Sequence, residues 1–460
     1  MSDSTATSID GRSFSFRSPV DGLKLQPAGY VTLGEHLGQV HSIELAPGDP
    51  SSVEGHGTLL GDGVDPFHDV PIAPAGQAQV SGWLEATRPP RGRLDVGELV
   101  SEPGVRFSFD AGGFDRHTFF CGQSGSGKSY ALGTVLEQLL METSLRIVVL
   151  DPNSDFVRLG FLRDGVDGGF AARYRSAAEG VAVRAGGDGP ERLHVRFTDC
   201  DSDEQAAVLR LDPIRDRDEY GVLVDMLEKG LESEGGTARE VAERLLAAPN
   251  PEMRGLGTRL RNLGIHRWPI WSTGDEGSVQ DLVSAEGPRA LVVDLGSLGT
   301  LGEKAIAAES VLAALWRRRT DREPVLIVVD EAHNVCPREP ADEVTALATE
   351  HAARIAAEGR KFGLYLLVST QRPQRVNELV VSQCDNLVLM RTSSAGDRAY
   401  LADTLAFAPA ALIGRAGAFR PGEALVAGKI ASHPAFVRFG PRIAEEGGSD
   451  IPSTWAEARP

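Results

Sequence analysis

Five apolar runs restrict the folds open to this chain: "LRIVVLD" (145–151), "ALVVDLG" (290–296), "VLIVVDE" (325–331), "LYLLVST" (364–370) and "NLVLMRT" (386–392). Each is dense in Val, Ile and Leu with no polar alternation, so a strand built from it needs cover on both faces. Segments of largely helical periodicity separate them. Strand and helix in alternation predict an α/β fold, a parallel sheet covered by helices, from about residue 105 onward. Within it, residues 156–287 are polar and mostly helical, and read as a helical insertion; 164–190 is glycine-rich and reads as extended. Residues 441–460 have no period and read as a tail.

The first 104 residues have a different texture. Short β-like runs ("FSFRS", "GYVTLGE", "VHSIEL", "AQVSGWLEA") alternate with Gly, Pro and Asp clusters. That spacing predicts a small β-barrel or sandwich, with "RPPRGRLDVGELV" as a stiff linker feeding its last strand. A second domain is expected in any case, because 460 residues exceed what one core usually serves.

Between "HTFF" and the periodic "YALGTVLEQLL" stands "CGQSGSGKS". Gly122, Gln123, Ser124, Gly125, Ser126, Gly127, Lys128 and Ser129 match the pattern G-x-x-x-x-G-K-[ST], with Tyr130 next in the helix. The chemistry explains the residue types. Glycines let backbone N–H groups converge on phosphate oxygens, lysine reaches the β and γ phosphates, and the serine hydroxyl serves Mg²⁺. A strand before the loop and a helix N-terminus after it complete an anion site. The stretch is expected to cradle ATP.

A phosphate loop needs an acid at the end of a buried strand, and "VLIVVDEAHN" provides Asp330 for Mg²⁺, directly or through water, with Glu331 beside it to polarise attacking water. Alone, these two acids would read as a solvated turn. Beside the loop they point to hydrolysis. "LRIVVLD" and "ALVVDLG" fall between the two motifs in sequence, as in RecA-like ATPases that insert a strand there. Thr370 and Gln371 end a further strand, either as γ-phosphate sensors or simply as turn residues before Pro373.

Composition narrows the class. A formal net charge of −18 argues against a surface coated in basic groups, though it leaves room for a basic channel inside an acidic ring. Cys121, Cys200, Cys336 and Cys384 lie far apart, so they form neither a CxxC pair nor a disulfide framework and read as small buried residues. No apolar run nears the ~18 residues of a membrane span, and the opening is polar, so a cytoplasmic protein is expected. Arg317–Arg319 read as a dipole-favourable helix end rather than a DNA contact.

"FDRHTFFCGQSGSGKS", "VVLDPNSDF", "VVDEAHN", "EGRKFGLYLLVSTQRP", "VVSQCDNLVLMRT" and "PGEALVAG" together resemble the HerA-like ATPases, relatives of the FtsK and conjugative DNA-pumping ATPases. The resemblance covers roughly residues 105–440 and extends to a small N-terminal barrel. It implies a homo-hexamer with double-stranded DNA in a central channel and a separate nuclease or effector docked at the barrel, in end processing or defence against phage. It also implies roles for single residues: Asp151 as an active-site acid, Arg360 as a finger entering the neighbouring subunit's site, Arg116 as a further basic residue near the phosphates. From the residues alone, Arg360 and Lys361 read as charges at a helix end before Gly363. Asn153 stands where such proteins often carry histidine. "DEAH" does not make the chain a DEAH-box helicase, because Gln371 and Arg372 run into "PQRVNEL" without the distal arginine-rich element. Two other classes are weighed: an ATP-responsive ring scaffold, and a metabolic P-loop kinase, which Glu331 and Arg360 disfavour.

Overall fold

The computed structural model describes residues 4–87, 92–189, 191–229, 237–272, 276–284 and 287–448. The part of the expected tail from 449 onward lies outside them. Two compact units divide the chain, and each is built on its own logic.

In the unit that holds most of residues 144–369, five parallel strands run in the order Val181–Ala185, Ala290–Asp294, Arg146–Asp151, Val325–Val329, Leu364–Thr370. The middle strands are buried along their whole length, as continuous valine and leucine require. Crossover helices join them. Leu301–Arg317 opens on a capping box, with Thr300 and Glu303 each bonding the other's backbone, and Glu343–Glu358 opens on Asp342. Asp201 with Glu204 and Thr237 with Glu240 start two of the insertion helices in the same way.

Two expectations need correction here. The expected extended stretch 164–190 is not extended throughout: Gly168–Ala178 is a helix, since Ala, Arg and Tyr outweigh the two glycines at its start. The insertion is also not wholly helical, because Val181–Ala185 is the sheet's edge strand, half-buried throughout. Arg317 pairs with Glu204, Arg318 with Asp321, and Arg319 lies over the Trp316 ring, so this triplet is spent on structure.

In the other unit, six antiparallel strands from Thr5–Ser8 to Phe67–Pro74 close into a barrel. Phe14, Phe16, Val31, Leu33, Val40 and Ile72 fill it. Two glycines make room: a Cβ on Gly55 would lie 2.2 Å from Phe16 Cζ, and one on Gly57 2.4 Å from Phe14 Cζ. "AQVSGWLEA" is not a strand. Gln77–Ala86 is a helix whose residues are mostly good helix formers, started at Gly76 with Gln79 reaching back to its N–H. The strand Arg93–Leu99, expected to end the barrel, pairs instead with Ala435–Phe439 and Arg106–Asp110.

From Ala435–Phe439 the sheet continues through Glu423–Gly428 and Cys384–Met390 to the strand His117–Cys121, which Cys384–Met390 meets in parallel. The barrel is fastened to this sheet by a buried Tyr30 hydroxyl 2.6 Å from His433 Nε2, among the edges of Trp83 and Phe107. Burial pushes the His433 imidazole down to about 3, which keeps it neutral. All four cysteines are buried and outside any disulfide. Among the described residues no helix is long and apolar enough to cross a membrane.

The helix after the glycine-rich loop, Lys128–Glu142, is clasped from outside. Arg442 lies against Gly133, where a Cβ would come 2.5 Å from its Nε, and that Nε bonds buried Glu137 at 3.2 Å. Breaking one side of a fully buried pair leaves an uncompensated charge. Glu137→Ala should therefore lower stability by about 3–5 kcal/mol, read by denaturant unfolding.

Candidate active site

The phosphate loop joins the strand His117–Cys121 to the helix Lys128–Glu142, so its backbone leaves a buried strand and enters a helix N-terminus within six residues, 122–127. Its glycines are there for space and for handedness. A Cβ on Gly122 would sit 2.7 Å from both Met390 Cβ and Ser126 Oγ. Gly125 and Gly127 adopt φ of +72° and +90°, where side chains are rarely tolerated. Neighbouring segments fix the loop from outside: Gly422 N donates to Ser126 O, Gln123 N to Arg391 O, and Gly122 N to Thr370 O. Ser393 N donates to the Gln123 side-chain carbonyl at 2.9 Å.

These residues fit a nucleotide's phosphates. Lys128 is buried at the first turn of the helix, and Ser129 follows it. Ser126 Oγ is buried with no hydrogen-bond partner among the described residues, a polar atom that an anion's oxygen would satisfy. Tyr130 is turned elsewhere: its hydroxyl accepts the backbone N–H of Arg442 at 2.7 Å. Its part in the loop is to anchor the chain that clasps the helix.

The acids stand in the other unit, at the carboxyl ends of adjacent strands. Asp330 follows Val325–Val329, is fully buried, and accepts the Ser369 hydroxyl at 2.7 Å. Its N–H donates to Leu150 O, which sets it beside Asp151. Asp151 ends its strand and takes the N–H groups of Asn153, Asp155 and Phe156 at 3.3, 3.0 and 2.8 Å. Burial raises its carboxyl to about 7, against the pull of those N–H donors, and the charge of Asp330 adds to the rise. Asn153 thus serves a turn held by Asp151. Glu331 is nearly buried, at φ +42° and ψ +49°, with His333 Nδ1 3.3 Å from its carboxylate. A non-glycine residue in this left-handed region costs about 1–2 kcal/mol, and such strain collects at functional sites.

Thr370 ends its strand and Gln371 follows it, with Thr370 Oγ1 accepting Arg372 N. Arg116 does not join the phosphate loop of its own chain. It precedes the strand His117–Cys121 while the loop follows it, roughly 17 Å away at about 3.3 Å per residue. There it pairs with Asp115 and Asp385. Arg360 is exposed in the turn Gly359–Phe362, before the strand Leu364–Thr370, at the end of the parallel sheet opposite Asp330.

One residue at the loop escaped the reading of the sequence. Arg391 reaches the Gly125 carbonyl with Nη2 at 3.3 Å. Its signal was an arginine ending the apolar run "NLVLM", beside the strand that feeds the loop.

Residues 94–253 match the family described as the central domain of the helicase HerA. The chain is similar to the DNA double-strand break repair helicase HerA of Pyrococcus furiosus, 24% identical over 411 residues, covering 75% of this chain and 69% of that protein. It is also similar to the HerA of Sulfurisphaera tokodaii, 29% identical over 178 residues; that match spans 36% of this chain and 35% of the relative's length. In fold it resembles the plasmid coupling protein TrwB solved with ADP and Mg²⁺, with a TM-score of 0.52, 15% identity, and coverage of 81% of this chain and 94% of that one. With a phosphate loop shaped by its glycines, acids at the ends of buried parallel strands and a closed barrel ahead of both in sequence, the chain is similar to the HerA-like P-loop ATPases.

Proposed function

We propose that this chain forms a homo-hexameric ring that hydrolyses ATP to move along double-stranded DNA, working with a nuclease or effector that docks at the barrel. The observation that carries the reading is the place of Arg360. In its own subunit it lies at the far end of the sheet from Asp330 and Glu331, exposed at a helix end. A guanidinium so placed serves a phosphate only across a subunit boundary, and that geometry makes turnover depend on a closed ring.

Read from the motifs, the roles divide by chemistry. The loop N–H groups, Lys128 and Ser126 bind and orient phosphates, while Ser129 and Asp330 are the oxygen donors for Mg²⁺. Mg²⁺, when bound, supplies positive charge against the phosphate oxygens. Glu331 holds water in line, and His333 fixes the direction of its carboxylate. Asp151, an active-site acid by the family resemblance, shapes the turn beside Asp330. Thr370 and Gln371, at a strand end, read the terminal phosphate.

A second reading, an ATP-responsive ring that arranges a partner with little motor activity, draws support from the net charge of −18. The two separate in one experiment: the ATPase rate of size-fractionated protein, with and without linear duplex DNA, at two salt concentrations. The motor predicts activity in the hexamer fraction that DNA raises in a salt-sensitive way. Turnover in the ring that ignores DNA would favour the scaffold.

Glu331→Gln should keep nucleotide binding and cut turnover on the order of a hundredfold; near-normal rates would remove it from the water-positioning role. Arg360→Ala should leave the ring intact on a sizing column and lower turnover about a thousandfold. Mixed with Lys128→Ala subunits, it should regain activity where an intact finger meets an intact loop. No rescue would sink the trans geometry.

A further inference from the structure

Arg391 stands where the strand Cys384–Met390 ends, beside the strand that feeds the phosphate loop, with Leu389 opposite Cys121. Its backbone is pinned to the loop, since its carbonyl takes the Gln123 N–H at 2.9 Å and Ser393 N holds the Gln123 side chain. Its side chain is much less committed. The single bond to Gly125 O is 3.3 Å, longer than the roughly 2.7–2.9 Å of a charge-assisted bond. Nε is buried and has no hydrogen-bond partner among the described residues. A guanidinium carries five donors in a planar fork, and leaving a buried one unmet is costly.

We propose that Arg391 is a phosphate-sensing residue of its own subunit, which exchanges the Gly125 carbonyl for the terminal phosphate of a bound nucleoside triphosphate. The inference rests on the loop being a nucleotide site. Of the three phosphates, the terminal one bears the most charge and the most non-bridging oxygens, and two of those match a bidentate fork. The exchange replaces one long bond to a neutral carbonyl with charge-assisted bonds to an anion.

The signal has somewhere to go. Arg398 Nη1 donates to the carbonyls of Thr392 and Ser393 at 2.7 and 2.8 Å, which ties the helix Ala395–Thr404 to the residues next to Arg391. Asp397 of that helix accepts Gln374 Nε2 at 2.7 Å, three residues beyond Gln371. A shift of Arg391 between carbonyl and phosphate thus pulls on the same loop that carries Gln371. The presence of the terminal phosphate would reach that loop from two directions.

The test is equilibrium binding of ADP and of a non-hydrolysable ATP analogue, each with Mg²⁺, to the full chain and to Arg391→Ala and Arg391→Lys. The expected result for Arg391→Ala is a loss of about tenfold or more for the analogue with ADP within about twofold, and partial recovery in Arg391→Lys, which keeps the charge but not the fork. Equal weakening of both nucleotides would make Arg391 a residue that only shapes the loop, and no change in either would remove it from the site; each overturns the proposal. If Arg391→Ala does not fold, Arg391→Lys carries the same comparison, with a selective loss for the analogue expected. Wild-type protein that binds neither nucleotide would overturn the nucleotide-site reading itself, a failure distinct from an unselective variant.

Discussion

Burial of the parallel strands on both faces is the constraint from which the site follows. A strand such as Val325–Val329 has no exposed face on which to carry chemistry, so polar groups gather at its ends. Asp151, Asp294 and Asp330 each end or follow such a strand, and neighbouring loops and strand ends bond them: Ser154 and Ser297 to Asp294, the turn through Phe156 to Asp151, Ser369 of the adjacent strand to Asp330. The acids are held in place before any ligand arrives, which spares reorganisation when charge must be stabilised.

The same economy of position shows on the loop side. Three segments far apart in sequence, at Thr370, Arg391–Ser393 and Gly422, converge on the glycine-rich turn, and the first and last bond it only through backbone groups. Loop shape is therefore insensitive to side-chain identity in those neighbours, while the turn itself tolerates almost none. The buried Arg442 and Glu137 pair then ties the following helix to the chain after Phe439, so the helix presenting its N-terminus to phosphate cannot slide along its axis without breaking a charged contact.

Much of this was legible in the sequence, and the failures share a cause. Continuous apolar strands and the phosphate loop carry their signals in a few adjacent residues, so 145–151, 325–331 and 122–129 could be read directly. Val181–Ala185 could not, because an edge strand is half-buried and this one includes Arg184. "AQVSGWLEA" misled because its short length hid whether Val80 and Trp83 repeat at three residues or at two. Arg116 and Arg391 show the limit best. Both flank buried strands as lone arginines, and only the direction of each strand tells which one arrives at the loop. The trans role proposed for Arg360 has no local signature at all, since within its own subunit the residue is an ordinary helix-end charge.

The backbone of Glu331 bears on how freely such a protein can change. Glycine, asparagine and aspartate enter the left-handed region most easily. Glycine brings no acid, asparagine no charge, and aspartate a carboxylate one methylene short. In the water-positioning role proposed for Glu331, no single substitution relaxes the backbone and keeps the reach, so drift at this position would be closed on every side. Whatever adapts these ATPases to new partners has to be written elsewhere, on surfaces such as the barrel whose residues answer to no phosphate.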